Sequence, residues 1–117
     1  MTAQELARAA AAALDSKKGI QIRAIGIREI SSLTDYFVIA SGTSNTHVHA
    51  LADEVEFRLK QQGLAPARIE NGESWVLLDY GSVIVHIFQE KAREFYDLER
   101  LWKDGTELPL DDVLNED

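Results

Sequence analysis

Residues 75–88 read Trp75-Val-Leu-Leu-Asp-Tyr-Gly-Ser-Val-Ile-Val-His-Ile-Phe88, two largely apolar runs joined by the dipeptide Gly81-Ser82. A two-residue link that begins with Gly predicts a hairpin, because Gly reaches the positive φ that a type I′ or II′ turn requires. Counting outward from the turn pairs Tyr80 with Val83, Asp79 with Ile84, Leu77 with His86 and Trp75 with Phe88.

This register divides the hairpin into two faces of different character, since side chains alternate along a strand. The face predicted to join the core carries Val76, Leu78, Tyr80, Val83, Val85 and Ile87. The other face carries Trp75, Leu77, Asp79, Ile84, His86 and Phe88. Because the second face mixes an acid, an imidazole and a Trp with apolar side chains, we expect the protein to cover it only in part.

The flanking sequence predicts three helices and three further strands. Thr2-Ala-Gln-Glu5 has the form of a capping box, so a helix is expected from about residue 3 to Leu14. The other predicted elements are strands at 20–27 (with a bulge at Gly26), 36–41 and 67–70, a helix capped by Thr43 or Ser44, and one helix over 91–102. This order predicts a single α/β domain whose mixed sheet of about five strands is flanked by helices.

Composition excludes several classes of protein. The 117 residues contain no Cys and no apolar run near eighteen residues, so disulfides, thiolate metal sites and a spanning helix are not expected, and we predict a cytoplasmic protein. The net charge is −8, and the segment from Asp104 to Asp117 holds six acids without a Lys or Arg. We expect a domain over residues 1–103 and an acidic, weakly ordered tail over 104–117. The body lacks a basic stripe, which disfavours direct nucleic-acid binding and favours a basic protein as partner.

Candidate catalytic and metal groups are few. His47 and His49 are two residues apart on a predicted helix and point in opposing directions, so one ion would not bind both. A Ser-His-Asp site could be drawn from Ser41, His86 and Asp79, but no Gly-x-Ser-x-Gly motif supports it, and a structural His is the favoured interpretation. No catalytic residue, metal ligand or cofactor is predicted.

The Gly42-Thr-Ser-Asn45 loop leaves two interpretations open. A loop between a strand and a helix N-terminus can bind phosphate, and this one is similar to the Gly-Ser loop of nucleotidyltransferases. That enzyme would need two carboxylates on the following strand for its metal ions, and only Asp79 is present. A capped helix start is therefore favoured over the alternative, a nucleotidyltransferase-like enzyme using Gly42–Ser44 and Asp79.

Trp75 also has two interpretations, core packing and an interface anchor. Glu70, Glu73 and Asp79 lie near it in sequence, and a half-exposed Trp with carboxylates around it is typical of a protein–protein interface.

Four stretches together resemble the ribosomal silencing factor family, RsfS, also called the iojap family. They are Leu33-Thr-Asp-Tyr-Phe-Val-Ile-Ala-Ser-Gly-Thr-Ser44, His47-Val48 with Ala52-Asp53, residues 75–88, and Arg93-Glu-Phe-Tyr-Asp-Leu-Glu-Arg-Leu-Trp102. The first helix and the tail after Lys103 lie outside them. The resemblance implies a catalytically inactive, nucleotidyltransferase-like α/β fold.

The resemblance further implies a function and its residues. A member of this family binds the large ribosomal subunit through the subunit's protein number fourteen and blocks association with the small subunit, which represses translation when nutrients are limiting. It also forms a homodimer when free. Trp75, Leu77, Asp79 and Tyr80 match the family's Trp-x-x-x-Asp segment and are expected to contact the ribosomal protein. Glu70 and His86 are added because the hairpin register places them near the same face.

Overall fold

The hairpin predicted over residues 75–88 is present with the predicted register. The computed structural model describes residues 1–114, and its helices and strands are α1 (Ala3–Ser16), β1 (Ile20–Gly26), β2 (Tyr36–Gly42), α2 (Asn45–Gln61), β3 (Arg68–Asn71), β4 (Trp75–Asp79), β5 (Val83–Gln89), α3 (Glu90–Tyr96), α4 (Leu98–Leu101) and β6 (Thr106–Glu107). Trp75 pairs with Phe88, Leu77 with His86 and Asp79 with Ile84. Gly81 has a φ of 86°, the left-handed conformation that the turn requires.

The six strands form one mixed sheet in the order β3-β4-β5-β2-β1-β6. Only β2 and β5 are parallel among these neighbours; every other pair is antiparallel. The α/β class is therefore confirmed, with one strand more than expected. The extra strand, β6, is two residues long and pairs with β1 beside Ile25 and Gly26, too short to leave an alternating pattern in the sequence.

Helices α1 and α2 cover one face of the sheet and enclose the main core. The capping box of α1 is present, with both Thr2 and Glu5 bonded to backbone N–H groups, and the Ser44 side chain caps α2. Val48, Leu51, Val55 and Leu59 of α2 are fully buried against sheet residues such as Val76, Leu78, Val83, Val85 and Ile87. The predicted core face of the hairpin is confirmed, except that Tyr80 is only half-buried.

The opposite face carries a smaller cluster. Ile25, Ile27, Phe37 and Ile84 are buried there, with Leu77 and Trp102 packed against them. The short helices α3 and α4 follow β5 directly and lie against this side of the sheet. This face is more covered than expected, because Ile84, His86 and Phe88 are all buried.

Two local predictions are wrong. The irregularity in β1 lies between Ile20 and Arg23, where Gln21 has a φ of 49°, and Gly26 pairs regularly with Tyr36. The helix expected over 91–102 is interrupted at Asp97, whose left-handed conformation (φ 47°, ψ 48°) separates α3 from α4. Asp tolerates this conformation better than most residues, because its short side chain bonds to nearby backbone.

The acidic segment packs onto the domain more than the sequence suggested. Beyond β6, Leu108 and Leu110 are buried in the main core, and Asp112 forms an ion pair with Arg8 of α1. Isolated apolar residues within an acidic segment gave no periodicity from which this packing could be predicted. The last three residues of the predicted tail, 115–117, lie outside the described residues. No helix within residues 1–114 has the length and apolarity to cross a lipid bilayer.

Candidate functional site

Strands β3, β4 and β5 place three of the predicted site residues in one row. Glu70 pairs with Leu77, and Leu77 pairs with His86, so their side chains point to the same face, opposite α1 and α2. Trp75 and Asp79 occupy the same face of β4, two residues to either side of Leu77. Glu70 is exposed, Leu77 is half-buried and His86 is buried.

Trp75 has features of both predicted roles, core packing and an interface anchor. Its indole ring lies 4.7 Å from the ring of Phe88 and 4.9 Å from that of Tyr96, measured between ring centroids. Its Nε1–H donates a hydrogen bond of 3.1 Å to Nδ1 of His86. The rest of the side chain stays accessible, since Trp75 is only half-buried. Trp75 therefore has one side against the protein and another available for contact.

His86 holds the indole in place through an uncharged ring. Only 4% of the residue is exposed, and burial lowers the pKa of His86 to about 4. Because Nδ1 accepts the Trp75 N–H, the proton of the neutral imidazole lies on Nε2. The ring of Phe37 contacts the imidazole edge-on at 4.9 Å. His86 thus positions Trp75 from beneath and does not itself reach the surface.

The lowered pKa of His86 predicts an acid-sensitive fold. Between its ordinary pKa of 6.5 and about 4, the unfolded chain binds the proton that folded His86 does not, so stability rises with pH across this window and falls on acidification. At pH 5 the expected loss relative to pH 7 is about 2 kcal/mol. Urea unfolding at both pH values measures it. His86→Asn keeps an acceptor for the indole and should lose less between these pH values; equal losses would contradict the assignment to His86.

Asp79 contributes to the turn as well as to the surface. Its Oδ1 accepts the N–H of Gly81 at 2.8 Å, which stabilises the hairpin. The side chain remains half-exposed, so a second carboxylate oxygen is available to a cation.

Tyr80 does not share the face of Trp75, Leu77 and Asp79. As the next residue along the chain it points toward α2, where its hydroxyl is buried without a hydrogen-bond partner among the described residues. Burial, and secondarily the charge of Glu56, raise the pKa of Tyr80 to about 12. The alternation of side chains already separates Tyr80 from the other matched residues.

Three exposed side chains that are not among the predicted site residues lie beside Trp75. Phe95 is 81% exposed, Leu101 is 69% exposed and Tyr96 is 52% exposed. The Phe95 ring contacts Tyr96 at 5.1 Å, Tyr96 contacts Trp75, and Leu101 lines the same shallow cleft as Phe95 and Tyr96. Their spacing with Leu98 and Trp102 in one continuous helix over 91–102 predicts a core face for Phe95 and Leu101. That prediction is wrong because the left-handed Asp97 turns the chain between them.

We call the surface formed by Trp75, Leu77, Phe95, Tyr96 and Leu101 the Trp75 surface. Exposed apolar side chains in contact with one another are uncommon on a protein that acts alone, and they mark sites of association. The side chains of Glu70 and Asp79 lie on the same face, and Glu94 and Asp97 line the cleft with Phe95.

A buried guanidinium attaches α3 and α4 to the sheet. Arg93 of α3 is 7% exposed; it donates to Glu99 of α4 at 2.9 Å, to Oγ of Ser41 at 3.0 Å and to the carbonyl of Ile20 at 3.3 Å. Glu99 also pairs with Arg23 of β1. Arg93 and its neighbouring Arg23 lower the pKa of the Glu99 carboxyl although burial opposes them. This network determines where α3 and α4 present Phe95, Tyr96 and Leu101.

The residues of the two enzymatic hypotheses are not brought together. Asp79 of β4 pairs with Ile84 of β5, and Ile84 pairs in turn with Phe37 near the start of β2. Gly42 lies at the other end of β2. Gly42 is five residues further along β2 than Phe37, about 17 Å at the rise of an extended strand. In the loop, the N–H of Thr43 donates to Nδ1 of His47 at 2.9 Å, so this donor is already used within the protein. The Ser41 hydroxyl accepts from Arg93 and His86 accepts from Trp75.

His47 joins two helices. Its Nδ1 accepts from Thr43, and its Nε2 donates to the carbonyl of Lys17 at 2.8 Å, at the end of α1. Within residues 1–114, no three His, Asp or Glu side chains are grouped so as to hold a metal ion.

Comparison with known proteins gives one consistent result. The model of the family "Ribosomal silencing factor during starvation", RsfS, matches residues 1–117, including the first helix and the C-terminal segment. The chain is 38% identical to ribosomal silencing factor RsfS of Halalkalibacterium halodurans, with 98% of this chain and 100% of the relative covered. It is 36% identical to the RsfS protein of Bacillus subtilis, with 99% and 100% covered. A crystal structure of a protein from Chromobacterium violaceum superposes with a TM-score of 0.85 at 35% identity, covering 93% of this chain and 91% of that one. The chain therefore belongs to the ribosomal silencing factor family, RsfS.

Proposed function

We propose that this protein is a ribosomal silencing factor without enzymatic activity. It binds the large ribosomal subunit through the subunit's protein number fourteen, sterically blocks association with the small subunit, and so represses translation under nutrient limitation. The observation that carries the proposal is the Trp75 surface, a cluster of exposed and half-buried aromatic and aliphatic side chains in a chain whose relatives are named ribosomal silencing factors.

The chemistry of the Trp75 surface suits a basic protein. Trp75 and Leu77 supply apolar area at the centre, and apolar anchors of this kind dominate the free energy of association. Asp79 and Glu70, on the same face, offer carboxylates to Lys or Arg, which favours encounter with a cationic partner and disfavours an acidic one. His86 acts from beneath by holding Trp75, and Tyr80 lies on the other face.

When the ribosomal protein binds the Trp75 surface, the opposite side of the domain, which carries α1 and α2, projects from the ribosome. The α-carbons extend over 34 × 33 × 31 Å, with the Trp75 surface on one side of the sheet and α1 and α2 on the other. A body of this thickness occupies the space that the small subunit needs, so exclusion requires no chemical step. We place this activity in the cytoplasm, where the subunits join, and we propose that the free chain forms a homodimer.

The second candidate is a nucleotidyltransferase-like enzyme using Gly42–Ser44 and Asp79. The loop and the carboxylate lie at opposite ends of the sheet, at least about 17 Å apart along the strand direction. This separation disfavours the enzyme, since one metal-bound nucleotide would have to contact both. Calorimetric titration with nucleoside triphosphates and Mg²⁺ tests this candidate. Binding heat at millimolar ligand would support it, and its loss in Asp79→Asn would assign the metal site.

Sucrose-gradient sedimentation of purified subunits tests the proposed function. At a Mg²⁺ concentration that permits joining, we expect the protein to travel with the large subunit and the joined-ribosome peak to shrink. A chain carrying Asp79→Lys should leave the peak unchanged, because the lysine faces a basic partner and loses the bond to Gly81. Asp79→Asn is the matched control for the turn, since it keeps an acceptor for the Gly81 N–H. Protein that stays at the top of the gradient beside an unchanged joined peak would refute the proposal.

A further inference from the structure

An Asn-Gly pair lies at the start of the turn between β3 and β4. Asn71 is the last residue of β3 and pairs with Val76 of β4, and Gly72 follows it outside the strand. Both residues of the pair are exposed. The N–H of Gly72 donates to the carbonyl of Trp75 at 2.9 Å, which closes the hairpin. The Asn-Gly pair is thus bonded to the backbone of the residue at the centre of the Trp75 surface.

The turn requires glycine at position 72. A Cβ at this position would lie 2.8 Å from the carbonyl oxygen of Trp75, so any larger residue would force the backbone apart. The nitrogen that follows Asn71 therefore belongs to the one residue without a side chain to shield it. Such a nitrogen can approach the preceding side-chain amide more closely than that of any other residue.

This pair can react within its own chain. The Gly72 nitrogen loses its proton to solvent and attacks Cγ of Asn71, which closes a succinimide ring, and the side-chain nitrogen leaves as ammonia. Water then adds to one of the two ring carbonyls and opens the ring. One direction of opening gives aspartate. The other gives isoaspartate, in which the main chain runs through the former side-chain carbon.

The hairpin slows this reaction without preventing it. The proton that must leave Gly72 is the one donated to Trp75, so the nitrogen attacks only after the end of the hairpin opens. Opening costs little here, because β3 is the outermost strand and all four of its residues are exposed. The reaction rate therefore follows the fraction of molecules in which the Gly72–Trp75 bond is broken.

We propose that Asn71 is a site of spontaneous deamidation and that docking of the Trp75 surface slows the reaction. The second half of this inference rests on the proposed function. Glu70 precedes Asn71 and lies on the docking face with Trp75. A partner bound to both residues holds the end of the hairpin closed and lowers the population of the open state. The free protein deamidates, and the bound protein is protected.

The two products differ in their effect on docking. Isoaspartate adds one methylene to the main chain before Gly72, which displaces the Gly72 N–H from the Trp75 carbonyl and loosens the backbone of Trp75. Aspartate leaves the main chain unchanged and adds one carboxylate near Glu70 and Glu73. A basic partner is not repelled by that added charge. The isoaspartyl form should therefore lose affinity for the large subunit, and the aspartyl form should keep it.

Incubation of the purified full chain tests the first half of the inference without ribosomes. Peptide mapping by mass spectrometry, with chromatographic separation of the two products, follows each Asn. Deamidation should be at least about tenfold faster at Asn71 than at Asn45, which begins α2 and precedes the β-branched Thr46. It should accelerate at alkaline pH, because the Gly72 nitrogen must lose its proton. Equal rates at Asn71 and Asn45 would overturn the assignment.

The same incubation with saturating large subunits tests the second half. The rate at Asn71 should fall at least about fivefold when the protein is bound. Incubated wild type should then co-sediment more weakly than fresh protein, whereas fresh Asn71→Asp should bind normally. Asn71→Gln is the matched control, since its longer side chain closes the ring poorly, and it should keep its affinity after incubation. An unchanged rate, or an equal loss of affinity in Asn71→Gln, would overturn the link to docking. If Asn71 deamidates in a chain that never binds large subunits, the modification site stands, and the proposed function and its link to deamidation are both wrong.

Discussion

Replacing Arg93 with Ala is expected to lower the free energy of unfolding by about 3 kcal/mol, the range in which removal of one partner from a buried ion pair lies. The Arg93 guanidinium lies within 3.3 Å of three acceptors: the Ile20 carbonyl, the Ser41 hydroxyl and the Glu99 carboxylate. The change removes this donor from all three. Urea unfolding at neutral pH, followed by circular dichroism, measures the loss.

The control for Arg93→Ala is Arg28→Ala. Arg28 also pairs with a carboxylate, that of Asp35 at 3.2 Å, but its side chain is 70% exposed, so its removal should cost less than about 1 kcal/mol. Equal losses for the two variants would show that burial does not strengthen the Arg93 network. Arg93→Ala should also weaken ribosome binding, since α3 and α4 would no longer be held in place.

Replacing Trp75 with Ala is expected to weaken binding to the large subunit by about thirtyfold or more, the typical result for truncation of an aromatic anchor. Stability should fall too, by about 2 kcal/mol or more, because the ring contacts to Phe88 and Tyr96 are lost and Nδ1 of His86 keeps no donor. Co-sedimentation with large subunits over a range of protein concentrations, together with urea unfolding, measures both effects.

Two variants separate the roles of Trp75. Trp75→Phe keeps an aromatic ring but loses the bond to His86, so it should lower stability more than affinity. Tyr96→Ser removes a ring that is 52% exposed, so it should lower affinity more than stability. Binding by Trp75→Ala at wild-type affinity would remove Trp75 from the proposed docking surface.

The elements that could be predicted from sequence are those whose signal is local. The Gly81-Ser82 turn, the capping box at Thr2 and the Ser44 cap of α2 each lie within a few residues, and each prediction is confirmed. The hairpin register also placed Trp75, Leu77 and Asp79 on one face.

What could not be predicted depends on contacts between distant segments. Arg93 of α3 donates to Ser41 and Ile20, fifty-two and seventy-three residues away. No pattern within 91–102 reports these contacts or the left-handed Asp97 that ends α3. The exposed Phe95 and Leu101 of the Trp75 surface follow from that break. Likewise β6 exists because β1 offers it an edge, not because two residues have a strand propensity.

The parallel pairing of β2 with β5 also has a consequence for folding kinetics. Tyr36 meets Val83 only after the intervening chain, with α2, β3 and β4, has closed a long loop, and such non-local pairing slows folding. The β4–β5 hairpin and the α3–α4 segment, by contrast, are contiguous in sequence, and an isolated hairpin forms within microseconds. Every side chain of the Trp75 surface comes from this contiguous stretch. Arg93 nevertheless anchors α3 to Ser41 of β2 and Ile20 of β1, so these side chains reach their final positions only after the slow, non-local pairing has formed.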